Sequence, residues 1–533
     1  MRFCQTLNTA IPVDATAAIE PPPTTCGSVL MAWFAPDLAL TLALTTLLLL
    51  FFVFGGATAL FGDSDTGWHI RYGERIISSG LLPHTDPFSF SKMGEPWVAW
   101  EWGADMLMGA VYRVSGLGGV ASMYGLCIGA SVWMWFRLNR AAGGNLLLAC
   151  LFFIPMLSTT ALHWLARPHV FSWLFLLGTV WLCERMPDRM GFRHLSLVVM
   201  VAAAWANFHA SFFFAPLIAL VYAAGTYVRP LIWDADGPPI REAGEHRARN
   251  YILLALAASA GTLANPNGWK LHQHVFSYFF NSGLLARITE FQSFNFQQEG
   301  GFQVMLALAL CFAGGFAALA AHKPERFLLS MLLTGAALRS VRVLPVAALL
   351  LLPLANGSIS TVLSCARNFA PGFRHKLEDA LEYGDRLHAI ERRFHGFAMV
   401  PLAVILVFSS IRARAGFPAN ELPVAASGVV ASLPASARIL APDFFGGYLI
   451  YFFDGSRKVF IDGRSDFYGA KFVERYIRLV EVRPGWRDEF NRWNFTYALL
   501  PPDYPLIPAL EASGWRELYR DGAAVLLTGK SRL

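Results

Sequence analysis

The sequence predicts a polytopic α-helical membrane protein that ends in a small soluble α/β domain. Of its 533 residues, 55% are hydrophobic and only 15% are charged, whereas a soluble domain carries about 25% charged residues. Long apolar runs recur as far as residue 412. Beyond that point the apolar runs shorten to strand length and alternate with helical patterns, which is typical of an α/β domain.

The transmembrane part is expected to cover residues 38–411, after a disordered cytoplasmic tail over residues 1–37 that contains Pro21-Pro22-Pro23. About eleven apolar runs predict membrane helices, although several are shorter than the ~20 residues that a simple span needs. These runs lie near residues 38–61, 117–137, 145–162, 169–184, 195–207, 212–228, 250–264, 302–321, 326–338, 342–356 and 395–412. Two large loops, at 62–116 and 265–301, interrupt them.

The distribution of basic residues predicts the orientation. Alternate loops are rich in Lys and Arg, including Arg137, Arg185 and a basic stretch over residues 367–393. Because basic loops stay in the cytoplasm, we expect the N-terminus inside, and both large loops and the residues after 412 outside. The net charge of +6 is spread in short clusters rather than along one stripe, so no nucleic-acid partner is expected.

Residues 412–533 are expected to form the soluble extracytoplasmic domain, joined by a linker at Arg414–Pro418. Its predicted strands are Ala437–Leu440, Lys458–Ile461, Tyr497–Leu500 and Ala523–Leu527, and its predicted helices include Lys471–Val482 and Pro505–Ser513. No cysteine follows Cys365, so disulfides and a zinc site are not expected there. Asp462, Arg464 and Asp466 mark a glycine turn, either as a polar edge above the membrane site or as an Asp–Arg pair that pins the turn.

The most informative loop begins Gly62-Asp63-Ser64-Asp65-Thr66-Gly67-Trp68-His69, directly after the first apolar run. Charges at a membrane boundary cost free energy unless they are paired or hydrated. The acidic pair therefore favours a polar substrate, a phosphate-bound metal or a proton as its ligand. A helix over residues 66–79, lying on the membrane surface, is expected next. The alternatives are an aromatic belt with a solvated loop, and Asp65 as a simple helix cap.

Several further polar residues lie near the predicted outer ends of helices. They are Arg167, His169, His209, Arg339 and Arg342. Arginine suits bidentate phosphate contacts, whereas the alternative is that these side chains snorkel or cap helix ends. The sequence has no P-loop, dinucleotide glycine motif or nucleophile elbow, so ATP-driven, nicotinamide-dependent and serine-hydrolase activities lack support.

The loop motifs TGWHIRYGERI, LLPHTDPFSF and WVAWEWGADML, with ARPHVFSWLF, LANPNGWKLH, ALRSVRVLP and KVFIDGRSDFYG, resemble bacterial proteins of the GT-C glycosyltransferase superfamily. The likeness lies near the protein mannosyltransferases and the lipid A aminoarabinose transferases, and covers most of residues 60–530. It implies transfer, with inversion, of a sugar from a polyprenyl-phosphate carrier to a lipid, glycan or protein acceptor. It also implies the bacterial inner membrane, with a periplasmic C-terminal domain.

The resemblance implies that Asp63 and Asp65 supply the base or bind a divalent cation such as Mg²⁺ or Mn²⁺. We expect Asp65 to be the base, since Asp63 lies nearer the membrane helix. Charge complementarity suggests Arg71, Arg339 and Arg342 for the donor phosphate. Further residues expected to bind substrate are Trp68, His69, His84, Asp86, Glu101, Trp102, Arg167, His169 and His209.

Two other functions remain open. The first is a non-catalytic GT-C-like subunit that binds or scaffolds lipid-linked glycan or cell-envelope assembly. The second is a transporter, although the internal repeats common in transporters are not evident. An enzyme should place Asp63 or Asp65 at an open cavity near an arginine, whereas a binding subunit could have both acids engaged in salt bridges.

Overall fold

The computed structural model describes residues 32–233, 238–365, 368–411 and 414–529, so most of the predicted disordered tail lies outside the described residues. The chain is mostly helical, as predicted. Its helices of four or more α-helical residues are α1 Leu38–Phe52, α2 Gly56–Ala59, α3 Asp65–Ser79, α4 Trp102–Ala141, α5 Leu146–Ala161, α6 His169–Glu184, α7 Phe192–Phe208, α8 Phe214–Ile232, α9 Pro238–Thr262, α10 Trp269–Phe279, α11 Ser282–Leu285, α12 Gly301–Ala320, α13 Pro324–Arg339, α14 Leu344–Ser364, α15 Pro371–Glu391, α16 Met399–Ile411, α17 Ala426–Ala431, α18 Asp443–Phe452, α19 Ser465–Tyr468, α20 Ala470–Val480, α21 Trp486–Trp493 and α22 Leu506–Glu511.

Within the described ranges, four helical segments are long and apolar enough to cross a membrane. They are Trp102–Ala141, Ala210–Ile232, Gly301–Ala320 and Val341–Ser364. Four shorter apolar helices accompany them, namely α1, α5, α6 and α7. The predicted count of about eleven membrane helices is therefore not confirmed, because several apolar runs form helices shorter than a full span.

Two helix boundaries differ from the sequence prediction. The run over residues 38–61 does not form one helix, because α1 ends at Phe52 and the chain turns through Gly55 and Gly56, whose φ angles are 79° and 70°. Helix α4 begins well before the predicted residue 117, at Trp102, and bends at Gly116. Its first part therefore belongs to the loop that was predicted to lie outside the membrane.

Helix α3 lies where a helix was predicted, and its predicted position on the membrane surface stays a prediction. It packs between α4 and α18, and its Trp68 and Tyr72 are buried with their rings against Trp97 of the first large loop. The packing is so close that a Cβ at Gly67 would lie 2.3 Å from the Gly447 carbonyl oxygen. Glycine at this crossing therefore allows α18 to approach the start of α3, where the acidic pair lies.

A four-stranded mixed sheet lies near the C-terminus, in the order β1-β2-β4-β3. Its strands are β1 Ile439–Leu440, β2 Tyr497–Leu500, β3 Arg516–Arg520 and β4 Val525–Thr528. β1 pairs parallel with β2, with Ile439 opposite Tyr497, and the other pairs are antiparallel. β3 was not predicted because its residues are mostly polar and exposed.

The predicted strand Lys458–Ile461 is wrong, because this segment does not join the sheet. It instead forms a single parallel bridge between Val459 and Ser89 of the first large loop. The Val459 amide donates to the Phe88 carbonyl at 3.0 Å, and the Val459 carbonyl accepts from the Phe90 amide at 2.9 Å. Backbone hydrogen bonds therefore join the C-terminal region to the first large loop.

The second large loop also contacts the C-terminal region. His274 Nε2 lies 3.1 Å from Asp466 Oδ2, and Arg287 Nη2 lies 3.4 Å from Glu474 Oε2. The residues after 414 therefore pack on both large loops, and these three regions together enclose the acidic pair.

Candidate active site

Asp63 and Asp65 lie at the start of α3 and share one cation, Arg167. Arg167 Nη1 donates to Asp63 Oδ2 at 2.6 Å, and its Nη2 lies 3.0 Å from Asp65 Oδ2. The Asp65 amide also donates to Asp63 Oδ1 at 2.9 Å. The Asp65 side chain is only 8% exposed. The two acids and one guanidinium therefore form a compact, largely buried ionic group.

Backbone contacts explain why Arg167 reaches this position. It lies in the short connection between α5 and α6, where the Ala166 amide donates to the Leu60 carbonyl at 2.7 Å. The Ala166 carbonyl accepts from the Thr66 hydroxyl at 3.0 Å. Both bonds join the α5–α6 connection to the segment that carries the acidic pair, so the guanidinium is held beside it.

Glu290 extends the cluster to a second arginine. Its Oε1 lies 3.1 Å from Arg167 Nη1, and its Oε2 lies 3.3 Å from Arg342 Nε. The Ser340 hydroxyl donates to the Glu290 carbonyl at 3.0 Å, which fixes the second loop against the α13–α14 connection. Three carboxylates and two guanidiniums thus alternate in one cluster, and we call Asp63, Asp65, Arg167, Glu290 and Arg342 the acidic cluster.

The two ends of the acidic cluster differ electrostatically. Burial, and then the neighbouring Asp63 carboxylate, raise the pKa of Asp65 to about 8 despite the opposing charge of Arg167. Burial also opposes the ionised form of Glu290, but Arg342 and Arg167 hold the pKa of Glu290 well below its usual range. Near neutral pH, Glu290 is therefore a fixed anion, whereas Asp65 can exchange a proton.

A second polar group lies at the adjoining helix ends. Glu101 has its two oxygens 3.9 Å from His69 Nε2 and 3.5 Å from His209 Nε2, and His69 Nδ1 lies 2.5 Å from Asp105 Oδ1. Burial raises the pKa of Glu101 to about 7. Burial, and then the charge of Arg167, lower the pKa of His69, so its imidazole is neutral at neutral pH.

The C-terminal region forms the cover of the acidic cluster. A Cβ at Gly463 would lie 2.0 Å from Asp65 Oδ1, so the Gly463 backbone rests directly on this carboxylate. The next residue, Arg464, donates to both Asp462 oxygens at 2.7 and 2.6 Å and to Asp86 at 2.7 Å. The predicted pinning of the turn by an Asp–Arg pair is therefore observed, and it also anchors the turn to the first loop.

Comparisons with known proteins place this arrangement in a known fold. The archaeal oligosaccharyltransferase AglB from Archaeoglobus fulgidus, in complex with an inhibitory peptide and a dolichol-phosphate, matches with a TM-score of 0.55 over 87% of this chain and 69% of that chain, at 12% identity. The chain shares the fold of this oligosaccharyltransferase, which is a member of the GT-C superfamily. The resemblance seen in the sequence motifs is thus confirmed at the level of the fold.

Two further solved structures are similar to this chain to different degrees. The A. fulgidus oligosaccharyltransferase in complex with Zn and sulfate gives a TM-score of 0.50 at 11% identity, covering 87% of this chain and 68% of that one. ArnT from Cupriavidus metallidurans, bound to undecaprenyl phosphate, gives 0.45 at 15% identity, covering 92% and 97%. No family model matches the sequence, and no curated protein matches it.

Of the residues predicted from the sequence, the fold brings Asp63 and Asp65 into contact with Arg167, and Glu290 joins Arg167 to Arg342. A second set surrounds them or lies at the neighbouring helix ends. This set comprises Trp68, His69, Glu101, Trp102, His169 and His209. Trp68 stacks on His69 with ring centroids 3.6 Å apart. Trp102 Nε1 donates to Asn207, and His169 Nε2 lies 3.0 Å from the His163 carbonyl oxygen.

Four predicted residues do not join the acidic cluster. Arg71 pairs with Glu74 and with Asp454 at 2.5 and 2.6 Å. His84 is exposed, and Asp86 is engaged by Arg464. Arg339 is also exposed and forms no ion pair with any residue in the described ranges.

Glu290 and Gly463 were not predicted as site residues. Glu290 carried a usable signal, because two boundary arginines need a counter-charge and it is an acid within the second large loop. Gly463 gave no such signal, since its role depends on the contact between the C-terminal turn and Asp65. Neither pairing is visible from sequence spacing.

The predicted Mg²⁺ or Mn²⁺ site at Asp63 and Asp65 stays a prediction. Carboxylate oxygens are suitable ligands for such hard cations. However, the oxygens of both residues face the Arg167 guanidinium, and no group of three His, Cys, Asp or Glu side chains in the described ranges could hold a metal ion. In this arrangement the Asp63 and Asp65 carboxylates do not fit a divalent metal ion, because the Arg167 guanidinium occupies the position between them.

Proposed function

We propose that this protein is an integral-membrane glycosyltransferase that moves a sugar from a polyprenyl-phosphate donor to a lipid, glycan or protein acceptor. The observation that supports this most is the acidic cluster, in which the Asp65 carboxylate lies beside Arg167 and Glu290 links Arg167 to Arg342. The dolichol-phosphate in the AglB structure supports the donor class.

In the proposed reaction, Asp65 is the general base. The acceptor's hydroxyl or amine attacks the anomeric carbon of the sugar, the bond from that carbon to the phosphate oxygen breaks, and Asp65 takes the acceptor's proton. Arg167 and Arg342 stabilise the phosphate that leaves, because guanidinium groups bind phosphate oxygens in a bidentate manner. Arg71 is no longer our candidate for this role, since Glu74 and Asp454 engage it.

The pKa of Asp65 has a consequence for the reaction rate. A general base works only when it is deprotonated, and its ideal pKa lies near the operating pH. With a pKa of about 8, Asp65 is mostly protonated at pH 7. The transfer rate should therefore rise as the pH increases from 6 to 8 and level off above that.

The test is transfer of radiolabelled sugar from polyprenyl-phosphate donors to lipid and protein fractions. Wild type should transfer label with a rising pH profile, and Asp65→Asn should not. Asp443→Asn is a control, since Asp443 is half-buried in the C-terminal region and accepts from Tyr476 rather than from Arg167. Equal transfer by wild type and Asp65→Asn would refute the role of Asp65.

A second function is favoured by one observation. Both acids are engaged by Arg167, which is the arrangement expected of a non-catalytic subunit that binds lipid-linked glycan or takes part in cell-envelope assembly. Tight binding of the carrier lipid, with no transfer from any donor at any pH, would establish this function instead.

A further inference from the structure

A polar cavity lies at the other end of α1 from the acidic cluster. Its volume is about 270 Å³, which is room for roughly nine water molecules at about 30 Å³ each. Four helix ends meet around it. These are the start of α1, the end of α4, the start of α5 and the end of α15. We call it the basic cavity, after Arg137, Arg140 and Arg392, which line it.

The acids of the basic cavity are already engaged. Asp37 accepts from the Leu40 amide at 2.8 Å and from Arg137 Nη2 at 2.6 Å. Glu391 accepts a hydrogen bond from the Leu38 amide. Both carboxylates therefore serve the start of α1, where backbone amides lack partners within the helix, and only Arg137 among the three arginines is neutralised.

Arg140 and Arg392 form no ion pair with any residue of the described ranges. Both arginines and His388 line the same cavity, and burial, and then the charges of Arg140 and Arg392, lower the pKa of His388. The lining carries three guanidiniums and two carboxylates, and Glu391 acts on Arg140 only through space, so positive charge predominates in this concave space.

The wall of the basic cavity is partly apolar. Phe136 is buried, and Leu146 and Phe394 are half-buried beside the charged groups. A space with an apolar wall and a charged rim at helix ends suits a ligand that has a phosphate group and a hydrocarbon part. Basic pockets between membrane helices bind the headgroups of anionic lipids in this way.

We propose that the basic cavity binds the phosphate group of an anionic ligand between Arg140 and Arg392, and that an anionic phospholipid of the surrounding membrane supplies it. A soluble phosphate would present the same chemistry to the two arginines. This site is separate from the acidic cluster and does not depend on the proposed transferase activity.

The test uses the full-length protein in nanodiscs that contain phosphatidylglycerol and phosphatidylcholine, with bound lipid counted by native mass spectrometry. Wild type should retain phosphatidylglycerol selectively. Arg140→Gln/Arg392→Gln should bind it roughly 30-fold more weakly, and the single variant Arg392→Gln about fivefold. Because Arg392 is exposed, the single variant keeps the test valid if the double variant fails to fold.

Arg189→Gln/Arg193→Gln is the matched control, because it removes the same charge from exposed residues outside the cavity. It should change phosphatidylglycerol binding by less than about twofold. In a second arm, inorganic phosphate is titrated into detergent-solubilised protein. Binding that depends on Arg140 and Arg392 in this arm alone would support the phosphate site and identify a soluble ligand.

Two results would overturn the proposal. The first is that Arg140→Gln/Arg392→Gln retains as much phosphatidylglycerol as wild type and binds inorganic phosphate equally well. The other is an equal loss in the Arg189→Gln/Arg193→Gln control, because that would show an effect of net charge rather than of a site.

Discussion

Replacing Arg167 by glutamine removes the only guanidinium that contacts both Asp63 and Asp65 among the described residues. Removing one partner of a buried ion pair costs about 3–5 kcal/mol, because the remaining charge is buried without compensation. The Arg167 side chain is 15% exposed and that of Glu290 is 29% exposed, so we expect the lower end, about 3 kcal/mol.

The loss should depend on pH in a defined direction. Without Arg167, the three carboxylates repel one another, and protonating them relieves the repulsion. The difference in unfolding free energy between wild type and Arg167→Gln should therefore shrink as the pH falls from 8 to 5. Thermal unfolding in one detergent, at both pH values, measures this difference.

The rate of sugar transfer by Arg167→Gln should fall by a larger factor than its loss of stability alone would cause. Removing one preorganised donor to a developing anion typically costs 10²–10³ in rate, so we expect a loss of about that size in sugar transfer. Arg71→Gln is the control, since Arg71 is similarly shielded at 14% exposure but pairs outside the acidic cluster. Full transfer by Arg167→Gln, or an equal loss by Arg71→Gln, would refute this reasoning.

Three further predictions concern the surroundings of the acidic cluster. Asp65→Asn should gain stability relative to wild type as the pH rises from about 4 to about 8, because the raised pKa makes ionisation of the native carboxyl unfavourable over that range; thermal unfolding across this range checks it, and a flat difference would contradict it. Gly447→Ala should cost about 1–3 kcal/mol, because its Cβ would lie 2.3 Å from the Ser64 carbonyl oxygen. Gly428→Ala, inside α17, meets no atom within 4 Å and should not lower stability in the same denaturation assay, because alanine is the better helix former. Arg464→Gln should cost about 3–5 kcal/mol, and Arg464→Lys should recover little of it, since lysine lacks the fork that binds two carboxylates; recovery of wild-type stability by the lysine variant would argue against this role.

Much of the helical part could be predicted from the sequence. A long apolar run inside a membrane must satisfy its backbone hydrogen bonds within itself, and a helix does so. The position of α3 followed from its periodicity, but its burial did not. The glycines at 67 and 447 allow α18 to cover it, and such a crossing depends on residues far apart in the chain. The same reason explains why the segment 458–461 was predicted as a strand of the sheet, yet bonds to the first loop.

The candidate site was predictable where neighbours in sequence determine it. Asp63 and Asp65 are two residues apart. Arg167 and Arg342 were predicted because they lie near the outer ends of predicted helices. The prediction that Arg71 holds the donor phosphate did not agree with its position. Arg71 lies six positions after Asp65, which at about 100° per residue places it on another face of α3. Glu290 depends on the contact between the second loop and the α13–α14 connection, which no local pattern reports.

The most direct test of the central claim is an experimental structure of the wild-type protein in a lipid nanodisc with a polyprenyl-phosphate bound. We predict that the phosphate lies within hydrogen-bond distance of Arg167 or Arg342, with the Asp65 carboxylate facing the position of the sugar's anomeric carbon. A phosphate bound elsewhere, with Arg167 still bridging Asp63 and Asp65, would contradict the assignment of the acidic cluster as the site of transfer.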